Sequence, residues 1–226
     1  MIGVTGASGH LGSTIMRLLP DAQPIGRTIP PRRFDAIIHT AAPNYRNHDD
    51  VMTFRAFNRA LLEHTREYPP DALIVTGSWW QHATGSCQDL TYTMLKNEQQ
   101  AIFPNAVHLI PFSIYGDEAR PGRGFIPQLI HTINTGQPLT GLSNQLRDFM
   151  HVTDVAHAHI QALEHNRGIY DIATCRTITP ADLAALFNIT APELDEYPHA
   201  YPRYINEPLP GWTAFINVID HINSRI

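Results

Sequence analysis

Four β-prone residues, Ile2-Gly3-Val4-Thr5, run straight into Gly6-Ala7-Ser8-Gly9-His10-Leu11-Gly12. A helical pattern of Leu11, Ile15, Met16, Leu18 and Leu19 follows and is stopped by Pro20. Strand, glycine turn and helix in that order form the local context a dinucleotide-binding loop requires. Gly6 permits the tight turn, Gly9 lets the backbone approach a pyrophosphate, and Gly12 lets helix pack closely on strand. The helix N-terminus then offers N–H groups and positive dipole to the anion. The plain alternative is a sharp strand-to-helix turn that holds nothing.

The alternation continues. Strand-like runs at Pro24–Gly26, Ala36–Thr40, Ala72–Thr76 and Ala106–Ile110 are separated by helical patterns at Asp50–Glu67 and Tyr92–Phe103. Strands spaced by helices predict right-handed crossovers and a doubly wound parallel sheet of α/β class. Ile29–Phe34 (Ile-Pro-Pro-Arg-Arg-Phe) is too short and proline-rich for another strand–helix unit, so one unit is trimmed away before Ala36.

At 226 residues the chain makes one large domain, or one with a small appendage. Its net charge of −5 excludes a general nucleic-acid or anionic-membrane binder. The charge is uneven: residues 1–34 carry +3 and residues 164–226 carry −4. Cys87 and Cys175 offer neither a disulfide framework nor metal-ligand spacing, and the scattered histidines are expected to be mostly solvated. Without a long apolar run or signal region, the chain reads as soluble and cytoplasmic.

Fifteen of the sixteen basic residues are Arg, and the exception is Lys96. It follows Tyr92 by four, which puts both side chains on one helix face. An unperturbed phenol titrates near pH 10, and a neighbouring ammonium lowers that value. Lys is a compact point charge where a guanidinium is bulky. A third partner is expected at the end of the preceding strand, where Leu73-Ile-Val-Thr76-Gly77-Ser78 supplies two hydroxyls. Ser78 is the choice for polarising a substrate carbonyl, with Thr76 the alternative.

With these residues in place, the chain resembles an extended short-chain dehydrogenase/reductase, of the NAD-dependent epimerase/dehydratase family, in a shortened form. Thr5–Gly12 resembles the family's glycine loop, and His39-Thr40-Ala41-Ala42 its cofactor-contacting strand end. Ser78, Tyr92 and Lys96 match its catalytic triad. Pro111-Phe-Ser113-Ile-Tyr-Gly116 resembles the turn beside the nicotinamide, and Gly124-Phe125-Ile-Pro127 the following substrate loop. Arg147-Asp-Phe-Met-His-Val-Thr-Asp154-Val-Ala is similar to a signature of the extended branch, and Gly211-Trp212 to its terminal motif.

The resemblance implies a Rossmann-type domain from 1–112 and 150–173, with a small α/β substrate-binding region from 113–149 and 174–226. It also implies cofactor contacts from Gly6, Ser8, Gly9, His10, Leu11, Gly12, Thr40, Ala41, Ala42, Tyr92, Lys96, Pro111 and Ser113. Substrate contacts are expected from Ser78, Trp79, Trp80, Phe125, Arg147 and Arg203, and a homodimer through the helices at Asp50–Glu67 and Tyr92–Phe103. No metal is expected.

Departures from the family pattern narrow the chemistry. Ile110 stands where an Arg is usual, and Ser113 where an Asn is usual. Phe54 falls nearest the family's helix Asn, with Asn58 one turn later. Trp79-Trp80 occupies the place of the dehydratases' Asp-Glu pair, so elimination of water lacks its acids. If the strand geometry persisted past Ser78, one Trp would face inward and line the pocket while the other faced out. Asp154 fits the N-cap of a helix over Val155–Leu163, and Thr179-Pro180 a helix start.

Cofactor choice is read from the end of the second strand. An NAD site places an acid there, whereas Gly26-Arg27-Thr28 has none between Asp21 and Asp35. Arg27 suits a 2′-phosphate, so NADP(H) is expected over NAD(H). The main functional expectation is a ketoreductase acting on a sugar, a nucleotide sugar or a similar small cyclic molecule. The alternatives are a nucleotide-sugar epimerase with tightly held NAD and a non-catalytic NADP-sensing regulator.

Overall fold

The computed structural model describes residues 1–42, 47–82, 90–116, 124–194 and 204–226. The chain opens with β1 (Ile2–Thr5), α1 (His10–Leu18), β2 (Gln23–Ile25), β3 (Ala36–His39), α2 (His48–Glu67) and β4 (Ala72–Thr76). It continues through α3 (Leu90–Ile102), β5 (Val107–Pro111), β6 (Ser113–Tyr115), α4 (Phe125–Thr135), β7 (Arg147–His151) and α5 (Val152–Gln161). The described elements end with β8 (Gly168–Ile172), β9 (Thr177–Ile178), α6 (Pro180–Ala185) and α7 (Val218–Asn223).

The strands at the centre are short apolar runs rather than alternating ones, which suits strands covered on both faces. Ala36-Ile-Ile-His39 is buried throughout, as is Val107–Pro111. They assemble into a six-stranded parallel sheet of order β2-β1-β3-β4-β5-β8. Residues 26–35 cross from β2 to β3 without a helix, which leaves β2 at the edge and agrees with the trimmed unit.

Successive residues feed opposite faces of the sheet. Ile38 and Ile74 join Ile15, Val155 and Ala158 on one face; Ile37 and Val75 join Phe34, Leu61 and Phe103 on the other. A smaller region carries a three-stranded sheet of order β6-β7-β9. Its own core holds Tyr115, Ile126, Leu129, Phe149, Leu183 and Ile222.

Helix starts follow the local chemistry. Asn47 accepts a hydrogen bond from Asp50 N at the head of α2, and Thr179 accepts one from Asp182 N with Pro180 in the first turn of α6. Asp154 does not cap α5. That cap is His151, whose Nδ1 accepts from Thr153 N; Asp154 lies within the first turn and is buried. Its Oδ2 accepts from Ile216 N, which anchors the C-terminal segment. Among the described residues no helix is long and apolar enough to cross a membrane.

Candidate functional site

The site begins at the carboxyl ends of β1 and β3. Gly6 takes the left-handed conformation (φ +64°), and a Cβ there would lie 2.8 Å from Ala41 N. On Gly12 a Cβ would run into the Gly6 carbonyl, so loop and helix meet without room for a side chain. Gly9 is the N-cap of α1, and no side chain caps that helix. This bare, glycine-walled N-terminus is a cradle of the shape and polarity that a pyrophosphate needs. Thr40 Oγ1 donates to Thr5 O at 2.8 Å, which holds 40–42 against the loop. A Cβ on Gly116, the residue after β6, would lie 3.3 Å from His10 Nε2, so the end of β6 approaches the same loop. The candidate cofactor residues at 6–12 and 40–42 therefore lie against one another.

The candidate proton-transfer residues come from β4 and α3. Beyond Thr76, Gly77 N donates to Leu109 O, and the chain then turns through a 3-10 segment, Trp79–His82. Gln81 fixes Ser78 against α3: its Oε1 accepts from Ser78 N at 2.8 Å, and its Nε2 donates to Gln100 Oε1 at 2.8 Å. Thr93 Oγ1 donates to Trp80 O at 3.5 Å. Tyr92 is half-buried on the first turns of α3, and Lys96 is fully enclosed.

Lys96 Nζ donates to Thr76 O at 2.7 Å and to Gln99 Oε1 at 3.0 Å. Burial pushes its ammonium down to about 7. The Thr76 hydroxyl is engaged elsewhere, 2.7 Å from His159 Nε2, while His159 Nδ1 lies 2.8 Å from Val155 O. Burial holds His159 at about 4, so the ring is neutral; it donates to Val155 O and accepts from Thr76. The Thr76 hydroxyl is thus committed to His159.

The tryptophans depart from the expected geometry. The 3-10 turn ends the strand period, so Trp79 and Trp80 stack on each other at 4.4 Å instead of facing apart. Trp79 is buried and runs nearly parallel to Phe112, which in turn packs on Tyr204. The Arg147 guanidinium lies 5.6 Å over the Trp79 ring. Arg147, Phe125, Ser113, Gln128 and Ser143 line one cavity of about 380 Å³. Arg203 and Cys87 lie outside the described residues.

Several buried polar groups escaped the sequence reading. Far from being mostly solvated, the histidines include buried His39, His64, His108, His151, His159 and His221. Asp148 accepts from Thr174, from Cys175 N and from Tyr204 Oη; burial raises the Tyr204 phenol, and the Asp148 carboxylate beside it raises it further. Burial raises the Asp171 carboxyl, but His82, Asn206 and the Ile205 N–H outweigh it and hold it below the ordinary range. Among the described residues no cluster could hold a metal ion.

The six-stranded parallel sheet with its flanking helices is a Rossmann-like fold. Residues 90–173, from the start of α3 to just past β8, match the model of the NAD dependent epimerase/dehydratase family. Comparison with curated protein sequences gives no match.

Solved structures extend the likeness of fold to the whole chain. UDP-N-acetylglucosamine 4-epimerase from Methanobrevibacter ruminantium, in complex with UDP-N-acetylmuramic acid, aligns over 99% of this chain and 96% of its own at TM-score 0.81 and 17% identity. The Bordetella bronchiseptica enzyme WbmG, in complex with NAD and UDP, aligns over 99% and 92% at TM-score 0.79 and 17% identity. The dTDP-glucose 4,6-dehydratase of Bacillus anthracis, in complex with NAD, aligns over 99% and 94% at TM-score 0.77 and 16% identity.

Proposed function

We propose that the protein is a nicotinamide-dependent enzyme that oxidises and re-reduces a carbinol carbon of a nucleotide sugar, as an epimerase that keeps its cofactor through each turnover. The observation that carries this reading is the enclosed Lys96 ammonium at the carboxyl end of β4, one turn from Tyr92 and held against the strand that delivers Ser78. The family match over α3 to β8 supports it, and supports epimerisation better than net ketoreduction.

When bound, the nicotinamide ring accepts and returns a hydride. Gly6, Ser8, Gly9, His10, Leu11 and Gly12 hold the pyrophosphate, and Thr40, Ala41, Ala42, Pro111 and Ser113 line the rest of the cofactor cleft. The Tyr92 phenolate takes the proton from the substrate hydroxyl and gives it back to the carbonyl oxygen. Lys96 favours that phenolate, and the Ser78 hydroxyl donates to the same oxygen. Arg147 and Phe125 in the cavity supply a charged, forked anchor and an apolar wall, which suit a diphosphate and its base. The stacked Trp79 and Trp80 put no acid beside Ser78, so water is not eliminated.

Residues 1–112 with 150–173 hold cofactor in this reading, and 113–149 with 174–226 hold substrate. The enzyme works in the cytoplasm as a homodimer through α2 and α3, on which Met52 and Met94 stand exposed. A second reading, net ketoreduction with NADP(H), is favoured by one observation: Arg27 is exposed beyond β2 with no acid paired to it among the described residues.

Incubation with UDP- and dTDP-sugars separates the two. The epimerase inverts one carbinol with no net change in nicotinamide absorbance; the reductase consumes NADPH in step with product. Equal turnover by wild type and Tyr92→Phe, with cofactor bound by both, overturns the catalytic assignment.

A further inference from the structure

We infer that Gln99 is a positioning residue that fixes the Lys96 ammonium against the end of β4 without neutralising it. Lys96 is 2% exposed, and no carboxylate pairs with it among the described residues. The titratable groups around it are Tyr92 on its own helix, His39 on β3, His108 on β5 and His159 on α5. Each of the three rings is buried, and burial lowers its pKa. The charge is therefore met by oxygens alone, and Gln99 supplies the only side-chain oxygen with a hydrogen bond to Nζ among the described residues.

Gln99 is itself 1% exposed, and its amide is oriented from behind. With Oε1 facing the ammonium, its Nε2 faces His39 Nε2 at 2.6 Å and must donate. His39 Nε2 is then an acceptor, so its proton sits on Nδ1 and goes to Thr5 Oγ1 at 2.6 Å. Desolvation holds His39 at about 3, which keeps this neutral form. Asn58 Oδ1 stands 2.8 Å from the same Nε2; with that nitrogen unprotonated, the amide has to present its NH2 end there instead.

Every donor on this arm points away from Lys96, and the arm ends at the residue that enters the glycine loop. Turning the Gln99 amide round would set N–H against ammonium, so the orientation is specified by Lys96 charged and His39 neutral. A Glu at 99 would accept equally well but would neutralise the charge that Tyr92 needs. The role of Tyr92 in this inference rests on the proposed function; the Gln99–Lys96 link does not.

The composition supplies the test, because Lys96 is the only lysine in the chain. Protein carrying 13Cε-lysine gives one side-chain titration, read without cofactor or turnover. Gln99→Glu is expected to raise the Lys96 midpoint by at least about one pH unit through its new charge partner. Gln99→Met, close in shape and without an acceptor, is expected to lower it.

In turnover, Gln99→Met loses about tenfold in kcat with KM within about twofold, and the acid limb of the Gln99→Glu profile moves to higher pH. A Lys96 midpoint unmoved in Gln99→Met overturns the inference, whatever Gln99→Glu does. Shifted midpoints with no turnover on any sugar leave the link standing and count against the proposed activity instead.

Discussion

Lys96 Nζ donates a hydrogen bond of 2.7 Å to the carbonyl oxygen of Thr76, the last residue of β4, two residues before Ser78. The side chain thus crosses from helix to strand end, and its length is set by that span. A guanidinium is planar, larger and forked, and among the described residues the enclosed site has no carboxylate for it to bridge. Lys96→Arg is expected to lower kcat by about a hundredfold or more while far-UV dichroism is unchanged. Near-normal turnover would make the lone lysine among fifteen arginines a coincidence.

The two hydroxyls at the end of β4 are expected to separate cleanly. Ser78→Ala should reduce kcat by about a hundredfold at nearly constant KM, because the lost donor acts on the reacting oxygen. Thr76→Val removes the partner of His159 Nε2 and leaves that buried nitrogen unsatisfied. It should cost about 1–3 kcal/mol of stability in denaturant unfolding and change kcat little. The reverse pattern would exchange the two assignments.

What the sequence disclosed follows from how each feature is encoded. The glycine loop, the apolar strands and the Tyr92–Lys96 spacing are local patterns, and each one folds as its pattern requires. The stacking of the tryptophans is not legible because β4 ends at Thr76 and a 3-10 turn follows over Trp79–His82, and no residue between Gly77 and His82 announces that turn. The cap of α5 was misplaced for a similar reason: His151 and Asp154 both fit the N-terminus, and the pull of Ile216 N on Asp154 comes from the far end of the chain. Gln99, His39, Asn58 and His159 were invisible as a set. Their contacts join residues 60, 19 and 83 positions apart across the sheet, and no short-range spacing records them.

Those buried rings make stability depend on acidity. His39 and His159 titrate in the folded protein at about 3 and about 4, against 6.5 for an unperturbed ring. Between those values and 6.5 the unfolded chain binds protons that the folded chain does not, so stability rises with pH through that window. It is fully present above 6.5, and about 3 kcal/mol from each ring is lost by pH 4.

Asp171, whose carboxyl is held low, acts in the same sense, and Asp154, raised by burial, opposes it. Lys96 extends the slope upward: folded at about 7 against 10.5 unperturbed, it adds stability to cofactor-free protein as pH climbs between the two. Tm should fall steeply from pH 6.5 to 4, and less steeply in His159→Gln, which has no ring to charge. A flat wild-type profile contradicts the buried-neutral assignment.

Cofactor preference turns on which arginine is available at the end of β2. Arg33 is engaged by Asp71 and by Pro69 O, and Arg32 lies 5.2 Å over the Phe34 ring. Arg27 is exposed and has neither kind of partner among the described residues, and it stands two residues beyond β2. A 2′-phosphate placed there gains charge-assisted hydrogen bonds, whereas a 2′-hydroxyl finds no carboxylate to accept its proton. Arg27→Ala is expected to raise the Kd for NADPH about tenfold or more and to leave the Kd for NADH within about twofold. Arg27→Asp should go further and reverse the preference, since it supplies the missing acceptor and repels the phosphate. A wild-type enzyme that already favours NADH, with Arg27→Ala unchanged on both cofactors, would assign Arg27 to solvent and remove the support for the reductase reading.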